Sequence, residues 1–406
     1  MFIMFAVKIV CQYIEFGGMN MAIQKKDYVS SFTLIGRPVL TDFTFKIDQR
    51  SEKSAWVYNS MNLGIDCGEK HGVVYADMMG GYSEERENVI YVHGKDSNGN
   101  DDFDNRFEVA WEDRDNPAAL ESIGKLCFYR VGLEKTVKGT TYYNDFLSQY
   151  DAIAYIKKHL TNDMVVNVKG NIKYSIYNDV VQVRKEITSI VLSSVEDPAD
   201  YTARFTQSIL IDKDSASLSA DNIDKDKGVM YVNARVLDYV KEYNGVEVRG
   251  QFPYRKQFEF AMDFSDGAKC KKIFEKLFKV KKNVTQATFE GVFIEGGAVT
   301  QVSWEDVPDD IKELVECGVY EKEEALAKCA SNGSRERRMV LTKPLIRMVG
   351  DDDNKVAAVQ IFPDRFKEED LFLDCMKKND DAVSPFDGDI DAAYADDDDM
   401  GWLNAL

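Results

Sequence analysis

One order of elements occurs twice in this chain. Residues 28–195 run through several short strands, a helix and two long strands joined by a turn, and residues 201–305 repeat that order with different residues. Stretches rich in β-branched and aromatic residues, broken by Gly and Pro, predict the strands. Apolar residues recurring three or four positions apart predict the helices. We therefore expect a mainly β protein with some α-helix, built from two similar units.

Two neighbouring strands of the first unit alternate between an apolar and a polar or aromatic face. They are "AWVYNSMNLGI" and "GVVYADM". Alternate residues of a strand point to opposite faces of its sheet. Trp56, Tyr58 and Tyr75 therefore share the face opposite the apolar one. The apolar face consists of Val57, Met61, Leu63, Ile65, Val74, Ala76 and Met78.

The second unit begins with the strand "ARFTQSILI" and continues through "GVMYVNARVLDYV" and "QFEFAMDF". A basic helix, "GAKCKKIFEKLFKVKK", and the strand pair "VTQATFEGVFIEGGAVTQVSW" follow. Residues 309–330 are typical of a helical insertion, and "RERRMVLTKPLIRM" predicts a closing strand. We expect domains at 21–195 and 196–349. We expect a flexible acidic tail at 350–406, where hydrophobic content falls.

Residues 1–20 are predicted to be a disordered or non-native leader. "MFIMFAVKIVCQYIEF" is apolar but is interrupted by Lys8 and is too short to span a bilayer. It lacks the basic start of a signal peptide. Gly17 and Gly18 precede Met19 and Met21, and Gly-Gly codons can encode a ribosome-binding sequence. The native chain is therefore expected to start at Met19 or Met21, with no membrane association.

Charge and cysteine usage exclude several classes of protein. The net charge is −19, and residues 380–406 contain nine Asp and no Lys or Arg, which leaves −10 on residues 1–379. This excludes a protein whose whole surface is basic but allows a local basic groove. Seven scattered cysteines without a CxxC, and three scattered histidines, favour neither a disulfide framework nor a zinc site. We expect reduced thiols, a cytoplasmic location and no metal or cofactor.

Enzymatic motifs are absent from the sequence. It contains no GxxxxGK[ST] phosphate loop, no HExxH and no GxSxG. "DSNGND" spaces Asp96, Asn98 and Asn100 as a calcium loop does, but Asp101 stands where the turn requires Gly. We predict a polar turn there and no catalytic residues.

The stretch "VVNVKGNIKYSIYNDVVQVRKEITSIVL" resembles the last two strands of the OB-folds in single-stranded DNA-binding proteins. The resemblance is to the bacterial family and, more closely in plan, to its larger bacteriophage versions. The resemblance rests on three features: Gly170 in mid-strand, a turn containing Tyr, and an acidic tail with an apolar tip. The bacterial family differs in having one OB-fold and a tail ending in Pro-Phe. The resemblance covers residues 28–195 and 380–406 and implies an OB-fold-like Greek-key β-barrel and a disordered acidic tail. The repeated order of elements extends this expectation to two OB-fold-like barrels.

OB-folds bind oligonucleotides on strands two and three and on the loops joining strands one–two and four–five. Non-specific single-strand binding uses aromatic faces that stack on bases and cations that follow phosphates. The candidates in the first unit are Trp56, Tyr58, Tyr75, Lys169, Lys173, Tyr177 and Arg184. Those in the second are Tyr231 in a strand and Tyr254, Arg255 and Lys256 in a loop. Coverage by a neighbouring domain and an ordinary solvated strand face are the alternatives.

The C-terminal tail ends in Trp402-Leu403-Asn404-Ala405-Leu406. A solubilising tail explains the Asp run from Asp396 through Asp397 and Asp398 to Asp399, but it does not explain the tryptophan. Trp402, Leu403 and Leu406 are therefore predicted to anchor a replication or recombination protein. The leading hypothesis is a non-enzymatic protein that binds single-stranded DNA in phage replication, recombination or repair. A β-rich structural or virion protein is the alternative, and the oligomeric state stays open.

Overall fold

The computed structural model describes residues 23, 25–178, 180–243, 245–296, 304, 307–322, 325, 336–350 and 354–373. The predicted leader and the acidic tip of the tail lie outside these residues. Most described residues are in strands, which confirms the mainly β class. No helix in this described part is long and apolar enough to cross a membrane.

Ten strands and two α-helices are found among the described residues of the first half of the chain. The strands are Ser30–Val39 (β1), Phe45–Arg50 (β2), Trp56–Asp66 (β3), Val73–Ser83 (β4), Val89–Lys95 (β5), Asp101–Ala110 (β6), Tyr129–Lys135 (β7), Thr141–Phe146 (β8), Val166–Tyr177 (β9) and Val180–Leu192 (β10). The helices are Pro117–Leu120 (α1) and Gln149–His159 (α2).

Five of these strands close into a barrel, which we call barrel one. β1 pairs with β3, β3 with β4, β4 with β10, β10 with β9, and β9 with β1 again. The β4–β10 contact is parallel and the others are antiparallel. α2 lies between the third and fourth strands of this barrel along the chain. This Greek-key order, with its helix, is that of the OB-fold.

The described residues of the second half form nine strands and two α-helices. The strands are Thr202–Ile211 (β11), Ile223–Asp224 (β12), Val229–Tyr243 (β13), Val246–Ala261 (β14), Val284–Gly296 (β15), Glu336–Pro344 (β16), Ile346–Val349 (β17), Val356–Val359 (β18) and Ile361–Phe366 (β19). The helices are Gly267–Leu277 (α3) and Asp309–Glu316 (α4).

β11, β13, β14, β16 and β15 close into barrel two with the same strand order. β11 pairs with β13, β13 with β14, β14 with β16 in parallel, β16 with β15, and β15 with β11. α3 precedes the fourth strand, as α2 does in barrel one. The two predicted OB-fold-like units are therefore present, and the helical insertion, with α4, lies between the fourth and fifth strands of barrel two.

The two barrels are joined through their first strands. β1 and β11 are antiparallel, with Phe32 directly opposite Phe205. Phe32 also pairs with Gly170 of β9, and Phe205 pairs with Gly291 of β15. A Cβ on Gly170 would lie 1.9 Å from the Glu186 carbonyl oxygen, so only glycine fits there. The barrels are thus related by an approximate two-fold axis between the phenylalanines, and buried residues of both form one hydrophobic core.

A matching β-bulge kinks the fifth strand of each barrel. In β10 the bulge leaves Thr188 without a partner residue on β9, and in β16 it leaves Thr342 without one on β15. The Thr188 hydroxyl donates to the Lys169 carbonyl at 3.3 Å, and the Thr342 hydroxyl donates to the Glu290 carbonyl at 3.0 Å. The bulge is therefore part of the repeated frame.

The prediction that a flexible tail begins at residue 350 is wrong for residues 354–373. β17 and β18 form a hairpin, and β19 pairs with β15. Arg365 of β19 donates to the Asp27 carboxylate at 2.8 Å, and Leu371 is buried beside Ile23. Burial against the start of the chain orders this charged segment. The domain boundaries themselves stay a prediction.

Candidate nucleic-acid interface

Two aromatic side chains of barrel one lie on its outer face, each opposite a glycine on the neighbouring strand. Tyr58 of β3 pairs with Gly81 of β4, and Tyr75 of β4 pairs with Gly64 of β3. A Cβ on Gly81 would lie 2.9 Å from the Tyr58 Cβ, and one on Gly64 would lie 3.2 Å from the Tyr75 Cε1. On its other side Tyr58 pairs with Gln49 of β2. Because the partner of each ring on the β3–β4 ladder is glycine, both half-buried rings can present a flat surface on that side.

Trp56 lies on the same face, two residues before Tyr58. It is half-buried, as the predicted outward orientation requires. Neighbours on one face of a strand are about 7 Å apart, and Tyr75 lies about 20 Å from Tyr58 along the strand direction, six register positions away. Trp56 and Tyr58 are therefore close enough to form one pair of stacking surfaces. Tyr75 is a separate stacking surface.

An ion pair lies between these aromatic positions. Arg184 Nε of β10 donates to Asp77 Oδ2 of β4 at 2.6 Å. Burial raises the pKa of Asp77, and the charge of Arg184 opposes that rise. Barrel two contains the same pair at matching positions, where Arg338 Nε donates to Glu259 at 2.7 Å. Because the pair recurs, it ties strands three and five of each barrel together, and Arg184 has this structural role in barrel one.

The two predicted lysines of β9 have different surroundings. Lys169 is exposed. Lys173 Nζ lies 3.7 Å from Asp238 Oδ1 of β13, and Lys25 Nζ lies 3.8 Å from the same oxygen. Asp238 also accepts a hydrogen bond from the Tyr174 backbone N–H at 2.8 Å. Lys173 therefore helps to attach the β9–β10 hairpin of barrel one to β13 of barrel two.

The turn joining β9 to β10 exposes one aromatic ring and buries another. Tyr177 has 45% of its surface exposed, at the position predicted for the four–five loop. Tyr174 is 4% exposed and its hydroxyl donates to Gln207 at 2.9 Å. Burial raises the pKa of Tyr174 well above its ordinary value. Tyr174 is therefore a core residue, as its position in the alternation predicts, and Tyr177 is the accessible one.

Barrel two presents fewer aromatic rings on the corresponding face. Tyr231 of β13 is half-exposed, pairs with Glu259 and donates to Asp224 at 3.5 Å. Arg255 of β14 is exposed opposite Arg235. The position that matches Tyr75 holds Gln257, so this face lacks that ring.

The predicted loop at Tyr254, Arg255 and Lys256 is wrong, because all three lie within β14. Tyr254 is 3% exposed and packs against Phe252, with ring centroids 4.8 Å apart. Burial raises the pKa of Tyr254 to about 12. No face of this ring is accessible to a base. Antiparallel pairing with the preceding strand β13, in which Tyr254 lies opposite Val236, makes this segment a strand.

Lys256 lies on the inward-facing row of β14, at the junction of the two barrels. Burial and the nearby Lys185 lower the pKa of Lys256 to about 8. Lys185 itself is buried and paired with Glu295 of β15 at 2.7 Å. Lys256 is therefore part of an interior polar cluster and not the solvent-facing loop cation that was predicted.

Several exposed aromatic side chains were missed by the sequence analysis. Phe43, in the loop joining strands one and two of barrel one, is 83% exposed. This loop is one of the two that OB-folds use for binding. In the sequence, Phe43 falls within a stretch predicted to be strand, which hid its position in this loop. The others are Tyr91, Phe103, Tyr142, Tyr143, Tyr239 and Phe372.

One side-chain arrangement has the order of a catalytic triad. His93 Nδ1 lies 3.2 Å from Cys127 Sγ, and His93 Nε2 lies 2.8 Å from Asp101 Oδ1. Burial raises the pKa of the Cys127 thiol, whereas a nucleophilic cysteine needs a lowered one. These three side chains instead attach the β5–β6 hairpin to residues 124–127. Among the described residues, no group of three or more His, Cys, Asp or Glu could hold a metal ion.

Comparison with known proteins finds distant likeness among solved structures. No protein-family model and no curated protein matches the sequence. Among solved structures, a deletion mutant of the single-stranded DNA binding protein from Thermus aquaticus is similar, with a TM-score of 0.28 and 9% identity over 66% of this chain and 87% of that chain. Because this overlap is small, the OB-fold assignment rests on the closed strand order of the two barrels.

Proposed function

We propose that this chain is a non-enzymatic protein that binds single-stranded DNA, coating and protecting exposed strands. The observation that carries the proposal is the outer face of barrel one, where Tyr58 and Tyr75 lie opposite glycines on strands two and three. Stacking on such rings tolerates any base, because every base has a π-face. Trp56, Tyr177 and Phe43 add rings on the same strands and on the two loops of the binding face.

The biological setting is a further part of the proposal. The resemblance of residues 164–192 and of the tail to the phage and bacterial proteins supports a role in phage DNA replication, recombination or repair in the host cytoplasm. The acidic tail would recruit replication or recombination proteins through Trp402, Leu403 and Leu406. Deleting residues 396–406 should tighten binding to single-stranded DNA at low salt, because the Asp run no longer competes for cations. Equal affinities of the full chain and of the chain without residues 396–406 would refute that competition.

The first test of the binding face is a fluorescence titration with oligo(dT). The double variant Trp56→Ala/Tyr75→Ala removes two rings, and each stacked base contributes about 1–3 kcal/mol. We expect affinity to fall at least about 30-fold, since 1.4 kcal/mol corresponds to a factor of ten. Tyr142→Ala is the matched control, because this ring is 53% exposed on β8, away from strands two and three.

Two outcomes separate the site from the function. If the double variant binds as tightly as the unmodified protein, the assignment of the binding face is wrong, but the proposal that the protein binds single-stranded DNA is unaffected. If gel shifts at low salt show no preference for single-stranded DNA over double-stranded DNA and RNA, the proposed function is wrong. The alternative of a β-rich structural protein would then be favoured.

A further inference from the structure

A strip of seven exposed lysines covers α3 and the turn after it. We call this strip the lysine face; it consists of Lys269, Lys271, Lys272, Lys276, Lys279, Lys281 and Lys282. Residues 269–282 include one acidic residue, Glu275, and therefore carry a net charge of +6. The whole chain has a net charge of −19. This local field has the opposite sign to that of the protein around it.

Of the acidic residues nearest in sequence, Glu275 forms an ion pair with the lysine face, and Asp263 and Asp266 hydrogen-bond to the backbone. Within the described part of the chain, the one ion pair of the lysine face joins Lys279 Nζ to Glu275 at 3.7 Å. Asp266 is the N-cap of α3 and accepts from the backbone N–H groups of Ala268 and Lys269, each at 3.0 Å. Asp263 accepts from the backbone N–H of Ser265. These two carboxylates therefore satisfy the backbone around the start of the helix.

The fold does not require lysines at this place. α2 occupies the same position in barrel one, and in its eleven residues it has two lysines, Lys157 and Lys158, and one aspartate, Asp151. Asp151 is paired with Arg114 at 2.7 Å. Both helices pack apolar side chains against their barrels. Because one barrel is completed by a helix without a basic strip, the lysine face of the other serves something besides folding.

The two barrels offer different parts of what single-stranded DNA requires, namely rings that stack on bases and cations that bind phosphates. The outer face of barrel one offers rings, but Arg184 and Lys173 there are engaged by Asp77 and Asp238. Barrel two has Gln257 where barrel one has Tyr75, yet it carries the lysine face. We propose that the lysine face binds the sugar-phosphate backbone of the same strand that stacks on barrel one. This inference rests on the proposed function and extends it to barrel two.

A nucleic acid fits the lysine face better than an acidic protein segment does. Protein segments obtain most of their binding energy from a few apolar anchors in pockets. No large apolar side chain between residues 262 and 283 is exposed, since those of the helix pack inward. A face with charge and without apolar anchors suits a phosphate chain, whose binding is dominated by the release of counterions.

The test is the salt dependence of oligo(dT) binding by the full chain. The variant Lys271→Gln/Lys272→Gln/Lys276→Gln/Lys279→Gln neutralises the middle of the lysine face. The control, Lys135→Gln/Lys138→Gln/Lys157→Gln/Lys158→Gln, removes four exposed lysines from barrel one. We expect the slope of log K against log salt to become shallower by about 0.7 for each phosphate that the variant no longer neutralises. The control should keep the slope, and thermal unfolding of both variants should match that of the unmodified chain.

Three results would overturn the proposal, and they are distinguishable. Equal slopes for the variant and the control refute phosphate binding by the lysine face while leaving binding by barrel one intact. Equal slopes together with abolished binding to a synthetic peptide of residues 380–406 identify an acidic protein segment as the occupant instead. If the unmodified chain itself binds no single-stranded DNA, the proposed function fails, and the lysine face has no such ligand either.

Discussion

Barrel one and barrel two have the same residue types at positions of close backbone contact and different residue types at outward-facing positions. Phe32 and Phe205, Gly170 and Gly291, and Thr188 and Thr342 are matched pairs in the shared frame. In contrast, Tyr75 is matched by Gln257, and the nearly uncharged helix α2 by the lysine-rich α3. Close backbone approach leaves few acceptable side chains, whereas an outward position is set by what it binds. A binding role must therefore be assigned barrel by barrel.

The largest expected effect comes from the glycines of the fourth strands. Gly170→Ala places a Cβ 1.9 Å from the Glu186 carbonyl oxygen, and Gly291→Ala places one 2.6 Å from the Val340 carbonyl oxygen and 2.3 Å from the Phe205 ring. A backbone carbonyl cannot rotate away as a ring can. We expect Gly170→Ala to lower the free energy of unfolding by about 3 kcal/mol or more, and Gly291→Ala by less.

Urea unfolding followed by circular dichroism measures both glycine variants. Gly267→Ala is the control, because a Cβ there has no atom within 4 Å and its backbone is helical. Its stability should equal that of the unmodified chain or slightly exceed it. A Gly170→Ala protein as stable as Gly267→Ala would show that the two frames do not depend on this close approach.

A smaller effect is expected from the ion pairs that join strands three and five. Asp77→Asn and Glu259→Gln keep the shape of the side chain but remove the charge beside Arg184 and Arg338. Each should destabilise the fold by about 1–3 kcal/mol, since a charged hydrogen bond is removed in a partly buried place. If the proposed function holds, only Asp77→Asn should also tighten oligo(dT) binding at low salt, because it removes a negative charge between the rings. Tightening by Glu259→Gln as well would place barrel two in the same groove.

The smallest expected effect is a pH dependence at the junction of the barrels. Lys256 lies where barrel one has the buried Val74. Between pH 8 and about 10.4, the ordinary pKa of lysine, the unfolded chain holds a proton that the folded chain has released. The contribution of Lys256 to stability therefore rises with pH in this window and is unfavourable below it.

Lys256→Val copies the residue of barrel one and removes this dependence. The variant should be more stable than the unmodified chain at pH 7, and the difference should shrink as pH rises from 8 to 10. Urea unfolding at four pH values provides the measurement, with Lys135→Val as an exposed control. Parallel pH profiles for the unmodified chain and Lys256→Val would contradict the lowered pKa.

The repeated order of elements was enough to predict the fold, because OB-folds are specified by strand alternation and by the helix between the third and fourth strands. Alternation also placed Trp56, Tyr58 and Tyr75 on the outer face, since one face of those strands is buried and the other is not. It failed at Tyr254, because the predicted strand began only at residue 257, whereas β14 begins at Val246 and pairs with β13 along its whole length. The match between the glycines, threonines and phenylalanines of the two halves was not recognised. It becomes visible only when the strand registers are used to align one half with the other.

The pairing of β1 with β11 has a consequence for how the chain folds during synthesis. Ser30 and Gln207, which share a hydrogen bond at 2.9 Å, are 177 residues apart in sequence. All strands of barrel one are synthesised before β11, yet the outer edge of β1 stays without that partner until β11 has been made. Pairing between strands this distant in sequence slows folding, and an uncovered strand edge attracts other chains. A nascent chain interrupted before residue 202 would therefore be prone to aggregation, and completion of β11 is the step that protects it.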